Sequence, residues 1–307
     1  MGEKITVFGS FVVDLMGRAP HLPVPGETVK GSMFRMGAGG KGFNQGVAAH
    51  KSGADVTMVT KLGRDSFGKV ALDAMEELGM DTRHILFSDE AETGIALIMV
   101  DENSSQNEIL VVPGACSTIT DQEVESISEI IGNSKYLLTQ LETNISSVEK
   151  VIGIAYKKGV KVVLNTAPVQ KISDEILSKV ELITPNEVES EVLTGITIDS
   201  KENADRAADY FFEKGVKNVL ITLGGRGVYI ATKEKREIIP AYKVEAIDTT
   251  GAGDAFNGGL LTALSEGKDL WEAARFANAL AAIAVQRLGT TPSMPTREEI
   301  DQFLSER

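Results

Sequence analysis

Asp248-Thr249-Thr250-Gly251-Ala252-Gly253-Asp254-Ala255-Phe256-Asn257-Gly258-Gly259 joins two different patterns in this chain. Ahead of it, Tyr242–Ile247 reads as a strand; behind it begins a long apolar helix. Small residues directly before a helix let successive N–H groups converge on an anion, and the helix dipole adds positive potential at the same point. Asp254, fixed in that turn, faces whatever lies against the anion. A helix cap would also account for an aspartate here, but a cap needs no G-x-G-D run.

The same alternation runs outward along the chain. Ile5–Phe8, Val56–Thr60, Tyr136–Thr139, Val160–Leu164, Leu182–Thr184 and Val219–Thr222 are short, β-branched, apolar runs and read as buried strands. Between them Lys69–Leu78, Ser146–Lys158, Asn203–Lys214 and Trp271–Arg287 carry helical periodicity. This predicts an α/β fold of three layers, α/β/α, with a mainly parallel central sheet that binds ligands beyond the carboxyl ends of its strands. Two regions break the rhythm. Residues 11–36 hold Pro20, Pro23, Pro25, Gly26 and Gly31, and residues 93–112 read as a hairpin around DENSSQNE. They predict a small accessory β-sheet serving as a lid, a dimer surface or both, unless the second is an ordinary edge hairpin. Without a repeat or linker, residues 1–307 are expected to form a single domain.

A second glycine cluster, Gly37-Ala38-Gly39-Gly40-Lys41-Gly42-Phe43-Asn44-Gln45-Gly46, leads into a helix over Phe43–Lys51. Glycines admit a ligand close to the backbone, and Lys41 and Asn44 offer polar groups suited to hydroxyls. It is not a phosphate loop of the G-x-x-x-x-G-K-[ST] type, because Arg35 and Gly42 stand where Gly and Ser or Thr are required. The first strand runs into Gly9-Ser10-Phe11-Val12-Val13-Asp14, without the G-x-G-x-x-G dinucleotide fingerprint. Thr222-Leu223-Gly224-Gly225-Arg226-Gly227 ends a strand and is either exposed backbone for a nucleotide or a plain hairpin turn. Asn186 and Glu189, at i and i+3 of a helix start, present hard oxygens to one side and suit magnesium, or are simply solvated. Glu142, just past a strand, is ambiguous alone.

Composition narrows the classes. The 307 residues are 42% hydrophobic and carry a net charge of −13, which disfavours nucleic acid and anionic membranes as partners. Cys116 is the only cysteine, so no internal disulfide or thiolate cluster can form. The three histidines, His21, His50 and His84, have no metal-ligand spacing. The opening MGEKITVFGS enters a strand pattern at once with no apolar signal region, and a cytoplasmic location is expected.

Taken together, Gly39-Gly40-Lys41-Gly42-Phe43-Asn44-Gln45 and Asp248-Thr249-Thr250-Gly251-Ala252-Gly253-Asp254 resemble the two signatures of the ribokinase-like, phosphofructokinase-B type sugar kinases. The resemblance spans essentially the whole chain, including Thr184-Pro185-Asn186-Glu187, Thr222-Leu223-Gly224 and Phe276–Ser293. It implies a ribokinase-like α/β domain with a β lid that also forms a homodimer interface. By the same resemblance Asp14, Gly39, Gly40, Lys41, Asn44 and Glu142 match sugar-contacting positions. Asn186, Thr222, Gly224, Gly225, Gly227, Gly253 and Asn278 match nucleotide-contacting ones. Gly251, Ala252 and Gly253 match an anion hole, Asp254 the catalytic base, and Glu189 a residue associated with magnesium. Asp248, Thr250, Ala284, Arg287, Gly289 and Ser293 match a potassium site. The implied ligands are therefore MgATP, a monovalent cation and a small sugar.

The implied reaction is ATP-dependent phosphorylation of the primary hydroxyl of D-ribose. Asp254 takes the proton while N–H groups of residues 251–254 hold the phosphate. The helix N-terminus is expected to keep Asp254 ionised rather than raise its basicity. Three positions depart from the commonest pattern: Val12, Thr166 and Gly46. A valine cannot hydrogen-bond, which leaves 2-deoxyribose or another small sugar as an alternative substrate. Nucleoside kinases are disfavoured by the GGKG form of the cluster. A non-catalytic sugar- or nucleotide-binding regulator is the rival from another class, and the intact Asp254 turn speaks against it.

Overall fold

A computed structural model describes residues 2–104 and 106–307; Met1, and Ser105 within the expected hairpin turn, lie outside them. In chain order the strands are β1 (Ile5–Phe8), β2 (Val12–Ala19), β3 (Met33–Gly39), β4 (Val56–Val59), β5 (Lys61–Gly63), β6 (Leu86–Ser88), β7 (Thr93–Asp101), β8 (Asn107–Gly114), β9 (Tyr136–Thr139), β10 (Lys161–Leu164), β11 (Leu182–Ile183), β12 (Asn218–Thr222), β13 (Val228–Ala231) and β14 (Arg236–Ile239). The helices are α1 (Lys41–Lys51), α2 (Ser66–Glu77), α3 (Asp121–Ser126), α4 (Ser128–Gly132), α5 (Ile145–Lys157), α6 (Asp174–Leu177), α7 (Glu187–Thr194), α8 (Lys201–Glu213), α9 (Ala252–Ser265), α10 (Leu270–Ala284) and α11 (Arg297–Ser305).

Eight strands form the main sheet in the order β14-β13-β12-β11-β10-β9-β1-β4. Pairings from β12 to β4 are parallel, and β13 and β14 extend the sheet antiparallel. The parallel strands read as continuous apolar runs because both faces are covered. Ile5, Val7, Leu138, Val163 and Leu220 pack with Val47 of α1, Leu260 of α9 and Leu280 of α10. On the other face Phe8, Leu137, Val162, Leu164 and Ile221 pack with Val151 of α5 and Phe211 of α8. Each such side chain contributes about 1.5–3 kcal/mol on burial, so the two cores fix the three layers that the alternation predicts.

A separate sheet, in the order β3-β2-β7-β8, stands off the main one. It contains the expected 93–112 hairpin as the antiparallel pair β7–β8. The other segment extends further than residues 11–36, because β3 continues to Gly39 and takes the start of the glycine cluster into the sheet. The helix after it opens at Lys41, two residues before the expected Phe43, on a Gly40 cap whose φ of 92° suits glycine.

Tyr242–Ile247 is not a strand: among the described residues it has no ladder partner. Its alternating pattern comes from crossing the helical layer, where Tyr242 packs edge-on against Phe303 of α11 at 5.3 Å between ring centroids. At its end the N–H groups of Ile247 and Asp248 both donate to Val285 O, at 2.7 and 3.1 Å. Among the described residues no helix is long and apolar enough to cross a membrane.

Candidate active site

The chain segments leaving β1, β9, β10, β11 and β12 end together at one rim of the main sheet, and α1 and α9 bring both glycine clusters to it. Close helix packing makes this possible. A Cβ on Gly258 of α9 would lie 2.7 Å from Ala49 N of α1, and one on Gly42 would lie 2.6 Å from Gly9 Cα. A cavity of about 830 Å³ lies between the second sheet and residues 246–250 and 288–292, with Asp14 in its wall.

Asp254 occupies the first turn of α9, and the cap of that helix is Gly251, with φ 77° and no side-chain capping bond. Asp254 is therefore not a cap. Its Oδ2 accepts from Asn44 Nδ2 at 3.0 Å and its Oδ1 from Gln45 Nε2 at 2.9 Å. Burial pushes the carboxyl above its ordinary value, against the pull of the Lys41 ammonium and the two amide donors, while Glu142 adds to the rise. The helix terminus is expected to hold its basicity down; the direction here is upward, and burial is its largest cause. Around it, the N–H groups of Gly251, Gly253 and Asp254 have no acceptor among the described residues, whereas Ala252 N–H turns back to Thr249 O at 3.2 Å. Three of the four expected anion-hole donors stand free, and that of Ala252 is engaged in the turn.

Asp14 projects from β2 on the same face as Val12 and Met16. Burial, then the neighbouring Glu142 and Asp254 carboxylates, pushes its pKa up to about 6. Gly39 lies against it: a Cβ there would fall 2.5 Å from Asp14 Cγ. Gly40 cannot carry a side chain either, since its Cβ would lie 2.9 Å from Val12 N. Burial would lower the Lys41 pKa, but the Asp254, Glu142 and Glu189 carboxylates outweigh that and hold the ammonium charged. Glu142 Oε2 accepts from Ser10 Oγ at 2.5 Å and from Lys41 N–H at 2.9 Å, so it stitches β1, α1 and β9 together. Asn44 Oδ1 is buried and has no partner among the described residues.

Asn186 and Glu189 form a capping box at the start of α7. Asn186 Oδ1 accepts from Glu189 N–H at 2.8 Å, and Glu189 Oε2 accepts from Asn186 N–H at 3.1 Å. They are not merely solvated, because Glu189 is buried and also takes a bond from Thr166 Oγ1 at 3.0 Å. That bond gives Thr166 a role in this chain. Gly46 has one too, since a Cβ there would approach Met58 Sδ to 3.1 Å. Asn186 also bridges to Thr222, whose N–H donates to Pro185 O at 3.0 Å.

The turn after β12 is the hairpin to β13, and its three glycines differ. Gly224 and Gly225 are exposed with open space where a Cβ would stand. Gly227, with φ 105°, is glycine for packing: its Cβ would collide with Ile239 O and stand 2.6 Å from Ala241 N. Asn278 of α10 is buried and donates to Pro240 O at 3.3 Å.

Two loops meet at Asp248. Its Oδ1 accepts from Thr250 N–H and its Oδ2 from Gly289 N–H, both at 2.9 Å. Burial would raise its pKa, but these bonds outweigh that and hold it below the ordinary range. Ala284 O accepts from Arg287 N–H at 3.0 Å, Ser293 Oγ donates to Thr290 O at 2.6 Å, and the Arg287 guanidinium is turned away to Glu299. Both Asp248 carboxylate oxygens and the Ala284 and Thr290 carbonyls are thus paired within the chain. Among the described residues no group of three His, Cys, Asp or Glu side chains could enclose a metal ion. A divalent ion here would rest mainly on phosphate oxygens and water, the habit of magnesium.

Ser10, Gln140, Asn165, Thr184 and Asn257 were not singled out from the sequence, and Gln45 only as half of an amide pair. Three of them, Gln140, Asn165 and Thr184, directly follow apolar strands, and Ser10 comes one residue later, after Gly9; a polar residue at a strand's carboxyl end was the available signal.

A family model described as pfkB family carbohydrate kinase matches residues 2–297. Ribokinase of Haemophilus influenzae is 46% identical over 304 residues, covering 99% of each chain. Deoxyribokinase of Salmonella typhimurium is 34% identical over 302 residues, covering 98% of each. The structure of Arabidopsis thaliana ribokinase complexed with ribose and ATP superposes with a TM-score of 0.91 at 31% identity, covering 99% of each chain.

Proposed function

This chain belongs to the pfkB family of carbohydrate kinases, and within it we propose that it phosphorylates the primary hydroxyl of D-ribose from ATP. The observation that carries the reading is the buried Asp254 carboxylate set among the unpaired N–H groups of Gly251, Gly253 and Asp254. The Asp254 carboxylate accepts the hydroxyl proton, and the three N–H groups stabilise negative charge on the transferring phosphoryl oxygens. Its raised pKa makes it a stronger base than a solvated aspartate.

Asp14, the Gly39–Gly40 backbone, Lys41 and Glu142 bind the sugar, and the unpartnered Asn44 Oδ1 accepts a hydrogen bond from a sugar hydroxyl. Thr222, Gly224 and Gly225 receive the nucleotide along their backbone, with Asn186 and Asn278 beside it. Gly227 supports that turn from within the fold. Magnesium, when bound with ATP, screens its phosphate oxygens, and Glu189 lies on that side of the site. The potassium ion is assigned to the two loops that meet at Asp248, whose residues resemble the family's cation site. The second sheet acts as the lid over this single-domain enzyme, excluding water from the phosphoryl donor. Phe34, Met36, Leu97, Met99, Leu110 and Val112 share its outer face and are exposed, a surface suited to a second copy in a homodimer. Cys116, buried and free, accords with a cytoplasmic location.

A second reading, 2-deoxyribose as substrate, is favoured by one observation: Val12 is buried and shares the Asp14 face. Coupled ADP release with ribose and 2-deoxyribose, at saturating MgATP and with and without potassium, tests both. A higher kcat/KM for ribose is expected; a higher value for deoxyribose would replace the proposal with the second reading.

A further inference from the structure

We propose that Gln140, which stands away from the substrate-facing groups, is a positioning residue that sets the orientation of the Gln45 amide and through it the basicity of Asp254. The inference rests on Asp254 being the base. Ionised, Asp254 can only accept, so the side of the Gln45 amide that meets it must be the NH₂ group. The same Nε2 donates to Asn165 Oδ1 at 3.0 Å, and Asn165 Nδ2 donates onward to Thr184 O at 2.8 Å. A main-chain carbonyl is an acceptor only, so the polarity of that branch is fixed from the backbone.

The other side of the Gln45 amide, Oε1, then needs a donor, and Gln140 Nε2 supplies it at 2.6 Å. Gln140 is buried at the carboxyl end of β9, and its own Oε1 has no partner among the described residues. Its place is kept by Gly9, where a Cβ would collide with that oxygen. The fold thus leaves an amide oxygen unpaired and a glycine at the end of β1, and what it obtains is one short bond that holds Gln45 with its NH₂ toward the base. Without it the Gln45 amide is held only through its NH₂ group, by Asp254 and Asn165, and is less firmly aimed at the carboxylate. That weakens a donor to the charged form, which raises the pKa of Asp254 further.

The test is the pH dependence of kcat for sugar phosphorylation in Gln140→Met and Gln45→Met, with Asp254→Asn measured beside them and sugar binding followed by calorimetry. Methionine keeps length and removes both hydrogen-bonding groups. In Gln45→Met the acid limb of kcat is expected to rise by about one pH unit. Turnover at neutral pH falls roughly tenfold, while the binding constant for sugar changes less than about threefold. Gln140→Met moves the limb in the same direction by a smaller amount. A merely structural role would lower kcat equally at every pH and leave the limb in place; that result in a sugar-binding Gln140→Met protein overturns the proposal, also where Gln45→Met fails to fold. If Asp254→Asn keeps wild-type turnover, the base assignment itself fails. An inactive Asp254→Asn beside unshifted methionine variants overturns the relay alone.

Discussion

Asp14 on β2 and Gly39 on β3 approach so closely that a Cβ at residue 39 would lie 2.5 Å from the Asp14 carboxyl carbon. The glycine is there for the carboxylate. Gly39→Ala should turn Asp14 off its position and raise the KM for sugar at least tenfold, with kcat lowered less, because misplaced binding groups are lost mainly from affinity. Steady-state kinetics with varied sugar checks this. An unchanged KM would show that Asp14 does not hold the substrate.

The same carboxylate titrates near neutrality. Its pKa of about 6 lies above the ordinary 3.8, so the folded protein binds this proton more tightly than the unfolded chain does. The Asp14 contribution is therefore most favourable below about pH 4 and is lost as pH rises through 6. Keeping it ionised at neutral pH costs on the order of 3 kcal/mol, at about 1.4 kcal/mol per pH unit. Asp14→Asn should thus raise the denaturation midpoint of the ligand-free protein at pH 7.5 while abolishing tight sugar binding. Sugar affinity of the parent protein should fall as pH drops below about 6. A lower midpoint in the asparagine variant would contradict the account of burial.

The glycines after β12 separate packing from ligand contact. Gly227→Ala meets Ile239 O and a positive φ, and should lower stability by about 1–3 kcal/mol through strain. Gly225→Ala meets open space; it should leave stability within about 0.5 kcal/mol and raise the KM for ATP. Thermal melts alongside ATP kinetics check the pair, and equal destabilisation by both would contradict the division.

These glycines also mark what the sequence can and cannot tell. Both segments that converge on Asp254, and the strands whose two faces are covered, were legible from spacing and apolar runs, because covalent order and burial act through local pattern. Tyr242–Ile247 misled because half-burial against α11 leaves the same alternation as half-burial in a sheet. Asp254 was found as a residue but its raised pKa was not. That shift comes from burial beneath α1 and from Glu142 in a distant part of the chain. Gln140 was invisible for a similar reason: nothing near residue 140 in sequence says that Gln45 lies beside it.

The outer face of the second sheet offers a further check. Leu110, on the edge strand β8, is 60% exposed, beside Leu97 and across the sheet from Met36. Leu110→Arg should convert a dimer to monomers in sedimentation velocity, since a charge buried without a partner in an apolar interface costs several kcal/mol. A parent protein that sediments as a monomer at micromolar concentration would contradict the proposed homodimer.

In the proposed reaction Asp254 removes the proton from the sugar's primary hydroxyl as phosphate is transferred. The most direct measurement of this step is the rate of ribose 5-phosphate formation from ribose and MgATP, by phosphorus NMR, in the parent protein and Asp254→Asn. The asparagine keeps the shape and the helix turn but cannot take the proton. The expected result is a loss of about three orders of magnitude or more in kcat with ribose binding largely retained. Asparagine turnover within tenfold of the parent rate would contradict the claim.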